Sequence, residues 1–310
     1  MKNFSLSLYN QFLLSLIKNN YSLLSFISQS NNYKEKIIVL RHDVDMLPLN
    51  SLHTAEIENS LGIQGSYYFR IVPQSFNEKI IKQIADLGHE IGYHYEEMDT
   101  VYRKWKMENG KWKREIKEEE LIDEAYELFC RNLEKMRQVA DIKTICMHGS
   151  PLSKFDNKAI WEKYNYRDLG IIGEPYFDIN WNEWGYLTDT GRRWDAGAAS
   201  VRDKVGSKEE GVNSNQKSEI RNQKSEVSLP TGKEGSQQLV GQINCFKTTQ
   251  DIIDNVDKLP DKLMITIHPQ RWTNRPLPWL KELVFQNAKN VVKRYVVNKS
   301  GQRAEVRDRG

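Results

Sequence analysis

The chain has 310 residues, 39% hydrophobic and 28% charged, with a formal net charge of +3. That length and balance suit a soluble protein made of one large α/β domain or two small ones. So small a charge, with no basic stripe interleaved with aromatics, argues against a nucleic-acid partner. The three cysteines (Cys130, Cys146, Cys245) are far apart and form no metal-type pair, which fits core packing in a reducing compartment. No apolar run reaches the roughly 18 residues of a membrane span, and the first residues carry no cleavable-leader pattern. The expected location is the cytoplasm, with no membrane partner.

Taken in order, residues 5–18 place Leu6, Tyr9, Leu13 and Leu16 on one helical face. After a short segment at Leu23–Ile27, the apolar run 36–42 predicts a strand buried on both faces. A helix through Ala55 and Leu61 leads to a strand at Gly65–Ile71, a helix at 76–87 that stops at Gly88, and a short strand Glu90–Tyr93 ending at His94. Residues 97–118 are polar, with Trp105 and Trp112 either side of the turn signal Asn109-Gly110. The two tryptophans could flank a substrate groove or cover a helix end. Glu118–Val139 has the clearest helical spacing in the chain, and Lys143–Met147 predicts a strand running into His148. Next come a helix near 156–164, a strand near 167–172 and another near 185–188, the last leading into Asp189 and Arg192-Arg193-Trp194-Asp195.

The pattern then changes. Residues 207–238 lack aromatics and carry a tandem Asn-Gln-Lys-Ser-Glu repeat, so the segment 206–242 reads as a disordered insertion. A helix at 248–257 and the strand Lys262–Ile267 follow, the strand ending in His268-Pro269-Gln270-Arg271-Trp272. Pro278 is placed to open a last helix with Leu280, Leu283, Val284 and Val291 inward. The expected organisation is a helical extension at 1–35, a barrel at 36–297 and a polar tail at 298–310.

Strands and helices alternate about seven times, which argues for a parallel sheet with helical crossovers. Asp43 and Asp45, His94, His148, Asp189 with the arginines, and His268 all follow their strands, and none precedes one. In a barrel those ends converge on one mouth. Carboxylates and imidazoles gathered there suit zinc or a similar divalent ion that activates water, hence a metal-assisted hydrolysis. His42 alternates away from its neighbours and packs behind the site. No role falls to His53.

Three stretches resemble a known family. Asp43-Val44-Asp45, Gly88-His89-Glu90-Ile91-Gly92-Tyr93-His94 and Ile265-Thr266-Ile267-His268 look like the first, second and last motifs of the polysaccharide deacetylases. These are metal-dependent amide hydrolases built on a distorted seven-stranded (β/α) barrel. The likeness covers about 36–292 without the insertion. It implies Asp43 as base, Asp45 and His94 as metal ligands, and His268 as acid. Asp189 or Asp195 would orient that acid, with Trp194 lining the groove. His89 would be structural. The implied substrate is an N-acetylated sugar or a related small molecule.

The departures matter as much. The family's second metal histidine would fall at Met98, and its arginine-proline motif is replaced by His148-Gly149-Ser150-Pro151. Either the third ligand comes from His148, Glu96 or Glu97, with His148 first because it ends a central strand, or the metal is weakly held or absent. Arg192, Arg193 and Arg271 are candidate substrate contacts or rim salt bridges, and Trp272 is a candidate substrate contact. Two other activities stay open at this point. One is a non-catalytic carbohydrate or nucleotide-sugar binding barrel, suggested by Met98. The other is a metal phosphoesterase, suggested by the arginines.

Overall fold

The computed structural model describes residues 2–31, 35–109, 116–149, 154–194 and 246–287. Its centre is a parallel sheet of seven strands: β1 (Ser22–Leu24), β2 (Ile37–Val44), β3 (Ser66–Phe69), β4 (Glu90–Tyr95), β5 (Ile145–Met147), β6 (Gly185–Thr188) and β7 (Lys262–Ile267). The order is β5-β4-β3-β2-β7-β6, curled into a half-barrel. β7 pairs along β2 from Ile37 to His42, so β1 and β3 share the other edge, at Ile37–Val39 and Arg41–Val44 respectively. The seventh strand therefore does not extend the sheet towards closure. Among the described residues β5 and β6 remain its two ends, where a closed barrel was expected.

β2 is buried along its whole length. Its even-numbered residues face outward into two layers of apolar packing. Helix α1 (Leu6–Lys18) covers Ile38 and Leu40 with Tyr9, Phe12, Leu13 and Leu16. Helices α3 (Glu78–Asp86) and α5 (Glu119–Arg137) cover Tyr67, Phe69, Ile91 and Tyr93. Caps mark where the helices start: Ser5 Oγ accepts from the Leu8 amide and Asn77 Oδ1 from the Ile80 amide. The odd-numbered residues face inward, where Ile37 and Val39 meet Tyr186, Met264 and Trp184 at the N-terminal end of the half-barrel. Gly92 is inward too, because any Cβ there would collide with the Tyr68 ring lying across it.

Several predicted elements differ. Residues 167–172 form no strand: Tyr166–Leu169 is a 3-10 turn ended by left-handed Gly170, and Thr144 bridges Gly173 alone. The polar excursion is largely helix α4 (Glu97–Asn109), with Trp105 partly buried and stacked on Tyr102. The predicted helix at 248–257 is a six-residue helix, Thr249–Asp254, followed by a 3-10 turn. The last helix starts at residue 276, and its Leu280 and Val284 are exposed instead of inward. Gly110, Trp112, Asp195, Val291, the insertion 206–242 and the tail 298–310 lie outside the described residues.

Behind β2, outward-facing His42 meets a fully buried acid on helix α2 (Pro48–Ser60). His42 Nε2 lies 2.8 Å from Glu58 Oε1, and the hydroxyls of Tyr9 and Tyr67 donate to the same oxygen at 2.5 and 2.9 Å. His89 donates from Nε2 to the Ala55 carbonyl and accepts the Gly65 amide at Nδ1, a neutral tautomer that burial favours. Burial raises the Glu58 carboxyl, but His42, His89 and Tyr9 outweigh it and hold the group below the usual range. Removing one member of a buried ion pair costs about 3–5 kcal/mol. Glu58→Gln should therefore lower stability by about that much in urea unfolding at pH 7. Because the folded pKa of Glu58 is depressed, its contribution is present above about pH 4.3 and fades below it, so the gap between wild type and variant should narrow in acid.

Candidate metal centre at the strand ends

The inward faces carry the chemistry. Arg41 and Asp43 are two apart on β2, and the guanidinium clasps the carboxylate through Nε and Nη2 at 2.8 and 2.7 Å. Burial pushes the Asp43 carboxyl up, but Arg41 and His94 overcome it and hold it far below the ordinary range. Asp45 lies just past β2, where Leu47 takes a left-handed conformation and the chain turns into α2. His94 ends the inward row of β4, and His148 follows β5.

Three atoms converge. His94 Nε2 is 3.7 Å and His148 Nε2 3.5 Å from Asp45 Oδ1. Asp45 Oδ1 is buried and has no hydrogen-bond partner among the described residues. A tetrahedral ion with bonds of about 2.0–2.1 Å holds its ligand atoms roughly 3.3–3.4 Å apart, close to this spacing. The tautomer fits as well. His94 Nδ1 must donate to the Cys146 carbonyl at 2.9 Å, which leaves Nε2 with its lone pair towards Asp45. Burial pushes His94 down to about 4, so the ring is neutral at pH 7. Asp43, His94 and the Cys146 thiol form a second possible group. Both Asp43 oxygens already serve Arg41, so Asp45, His94 and His148 make the better cation site.

Around these atoms the remaining groups act on the ligands. Glu96, expected as a candidate ligand, is bound through both oxygens by Arg70 at 2.7 Å, with Oε2 3.4 Å from His148 Nδ1. Burial opposes its ionisation, but His148 and Arg70 prevail and bring it to about 2. Its oxygens are thus taken up by Arg70, and the carboxylate lies beside the His148 ring nitrogen remote from Asp45. Glu97 faces away, accepting from Tyr93 and Asn132, and burial raises it to about 7. Met98 is fully buried in the packing of α4 against α5. On that side of the helix no side chain at 98 reaches the centre.

His268 Nδ1 donates to Asp189 Oδ1 at 2.6 Å. Asp189 is fully buried and also accepts from Arg271 Nη1 at 2.7 Å, Trp272 Nε1 at 2.8 Å and the His268 amide. It is a clamp on His268. His268 follows β7, which runs parallel to and pairs with β2, so it stands at the same end of the sheet as Asp43 and Asp45.

The expected substrate contacts fare less well. Trp194 and Trp272 are fully buried, packed with Phe4 and each other, so neither lines a groove. Arg271 is spent on Asp189. Arg192 donates to the Arg271 carbonyl, and Arg193 is half-buried beside it. Sequence reading missed Arg70 and Gln270. Arg70 follows β3 directly and so carried the same strand-end signal. Gln270 donates from Nε2 to Asp45 Oδ2 at 3.1 Å, and an uncharged residue gave no such signal.

Comparison with protein-family models, curated proteins and solved structures found no match to this chain. Among the described residues, no helix is long and apolar enough to cross a membrane. Two outcomes follow from the geometry. Glu96→Gln should weaken divalent-cation binding about 10–100-fold in calorimetric titration, the usual cost of losing a carboxylate behind a ligating histidine. In the cation-free protein, the ring protons of His94 should titrate by NMR with a midpoint near 4.

Proposed function

We propose that the protein is a divalent-cation-dependent amide hydrolase, with zinc as the ion and an N-acetylated, sugar-containing molecule as substrate. The observation carrying this reading is the convergence of Asp45 Oδ1, His94 Nε2 and His148 Nε2 beside Asp43, with His268 after the neighbouring strand β7 at the same end of the sheet. The likeness of the three motifs to polysaccharide deacetylases points the same way. A bound ion of this kind polarises a carbonyl oxygen and lowers the pKa of water toward roughly 7.

The side chains divide the remaining work. Asp43, kept ionised and immobile by Arg41, accepts a proton from the attacking water, whose oxygen joins the acyl carbon. His268, protonated at Nε2 and held at Nδ1 by Asp189, gives its proton to the leaving nitrogen as the C–N bond breaks. The products are the free amine and acetate. Asp189 stays ionised, since Arg271 and His268 overcome the burial that would raise it, and its hydrogen bond to Nδ1 fixes the orientation of the His268 ring.

Two details weigh against the other activities. His148 stands where a third donor is needed, which removes the motive that Met98 gave for a non-catalytic sugar-binding barrel. Arg271 is paired with Asp189, and Arg192 donates to the backbone carbonyls of Arg271 and Asn3, which weakens the motive those arginines gave for a phosphoesterase.

The test is acetate release from N-acetylated sugars by the zinc-loaded protein. Asp43→Asn should lower kcat at least about 10²-fold while zinc still binds. Asp45→Ala should abolish both binding and turnover, and full activity in that variant would refute the assignment.

A further inference from the structure

The amide of Gln270 is used at one end only. Nε2 donates to Asp45 Oδ2, while Oε1 is buried and has no hydrogen-bond partner among the described residues. Chemistry fixes this orientation, because the flipped amide would set its oxygen against a carboxylate oxygen at the same 3.1 Å. The residue is nearly enclosed and sits in the 3-10 turn Pro269–Arg271. That turn is anchored on both sides: Asp189 holds His268 and Arg271, and Asn50 Nδ2 donates to the Gln270 carbonyl at 3.4 Å. Gln270 has little freedom to seek another donor.

We propose that Gln270 makes this an amide site: Nε2 commits Asp45 Oδ1 to the cation, and Oε1 accepts the N–H of the substrate's N-acyl group. The inference rests on the hydrolase reading and narrows it. With Oδ2 engaged by Gln270, Asp45 offers one oxygen to the ion. Oε1 lies on the same short turn as His268, the group that protonates the leaving nitrogen. An amide brings a donor there. An ester or phosphoester brings an oxygen with lone pairs, and two acceptors repel. An acceptor of this kind rejects analogues that lack the matching donor.

Gln270→Leu removes both functions with little change in volume, and Gln270→Glu keeps an acceptor while removing the donor. In a cobalt(II) titration, Gln270→Leu should weaken affinity roughly 10–100-fold. Its visible d–d absorption should also drop in intensity, as the released Oδ2 lets Asp45 bind through both oxygens. A merely structural residue would leave that spectrum unchanged once cobalt is saturating. Kinetics at saturating zinc should show kcat/KM for an N-acetyl sugar falling at least about tenfold more than for the matched O-acetyl sugar in Gln270→Leu. In Gln270→Glu the amide-to-ester ratio should stay near that of wild type. An unchanged cobalt spectrum and affinity would overturn the positioning role. Equal losses on amide and ester would overturn the N–H contact alone, with the hydrolase reading intact. A cation-loaded wild-type protein that hydrolyses neither compound would overturn that reading and this contact with it.

Discussion

A strand enclosed on both faces that carries Arg41, His42 and Asp43 in succession must supply a partner for every charge it buries. An unpaired buried ion costs several kcal/mol, more than a domain can leave unmet at several positions. Alternation of side chains sorts the problem into two halves. His42 turns outward and meets Glu58 with two tyrosine hydroxyls, which ties β2 to α1 and α2. Arg41 and Asp43 turn inward and satisfy each other. β2 is thereby fixed from front and back, and Asp45 emerges from its end in a defined place.

The inner cluster follows the same logic of compensation. Asp43 has Arg41, Glu96 has Arg70, and Asp189 has Arg271. Asp45 is the exception. Among the described residues its carboxylate oxygens meet two histidines and the neutral amide of Gln270, while Arg70 reaches its backbone carbonyl at 3.4 Å. His94 is neutral at pH 7, with its lone pair aimed at Asp45. The Asp45 carboxylate and the His94 lone pair turned towards it repel each other unless a cation stands between them. The arginines that neutralise the other acids thus define where positive charge is still wanted.

Much of this was legible in the chain. Polar residues after apolar runs marked Asp43, Asp45, His94, His148, Asp189 and His268, and the structure brings all six to one end of the sheet. Strand parity placed His42 on the far side. What could not be read was which of several nearby acids faces the centre. Glu96 and Glu97 are adjacent in sequence, yet one reaches His148 and the other the Tyr93–Asn132 side, because the chain enters α4 between strand and helix periodicity. Trp194 and Trp272 stand beside functional residues, but their rings close the core under α1. The missing strand at 167–172 has a local cause. Left-handed Gly170 follows a 3-10 turn, and pairing with the β5 side is reduced to one bridge at Gly173.

The account depends on one cation position, and anomalous diffraction from zinc-soaked crystals examines it directly. The predicted result is a single strong peak about 2.0–2.2 Å from Asp45 Oδ1, His94 Nε2 and His148 Nε2. A peak between Asp43 and the Cys146 thiol, or none at the strand ends under saturating zinc, would contradict it.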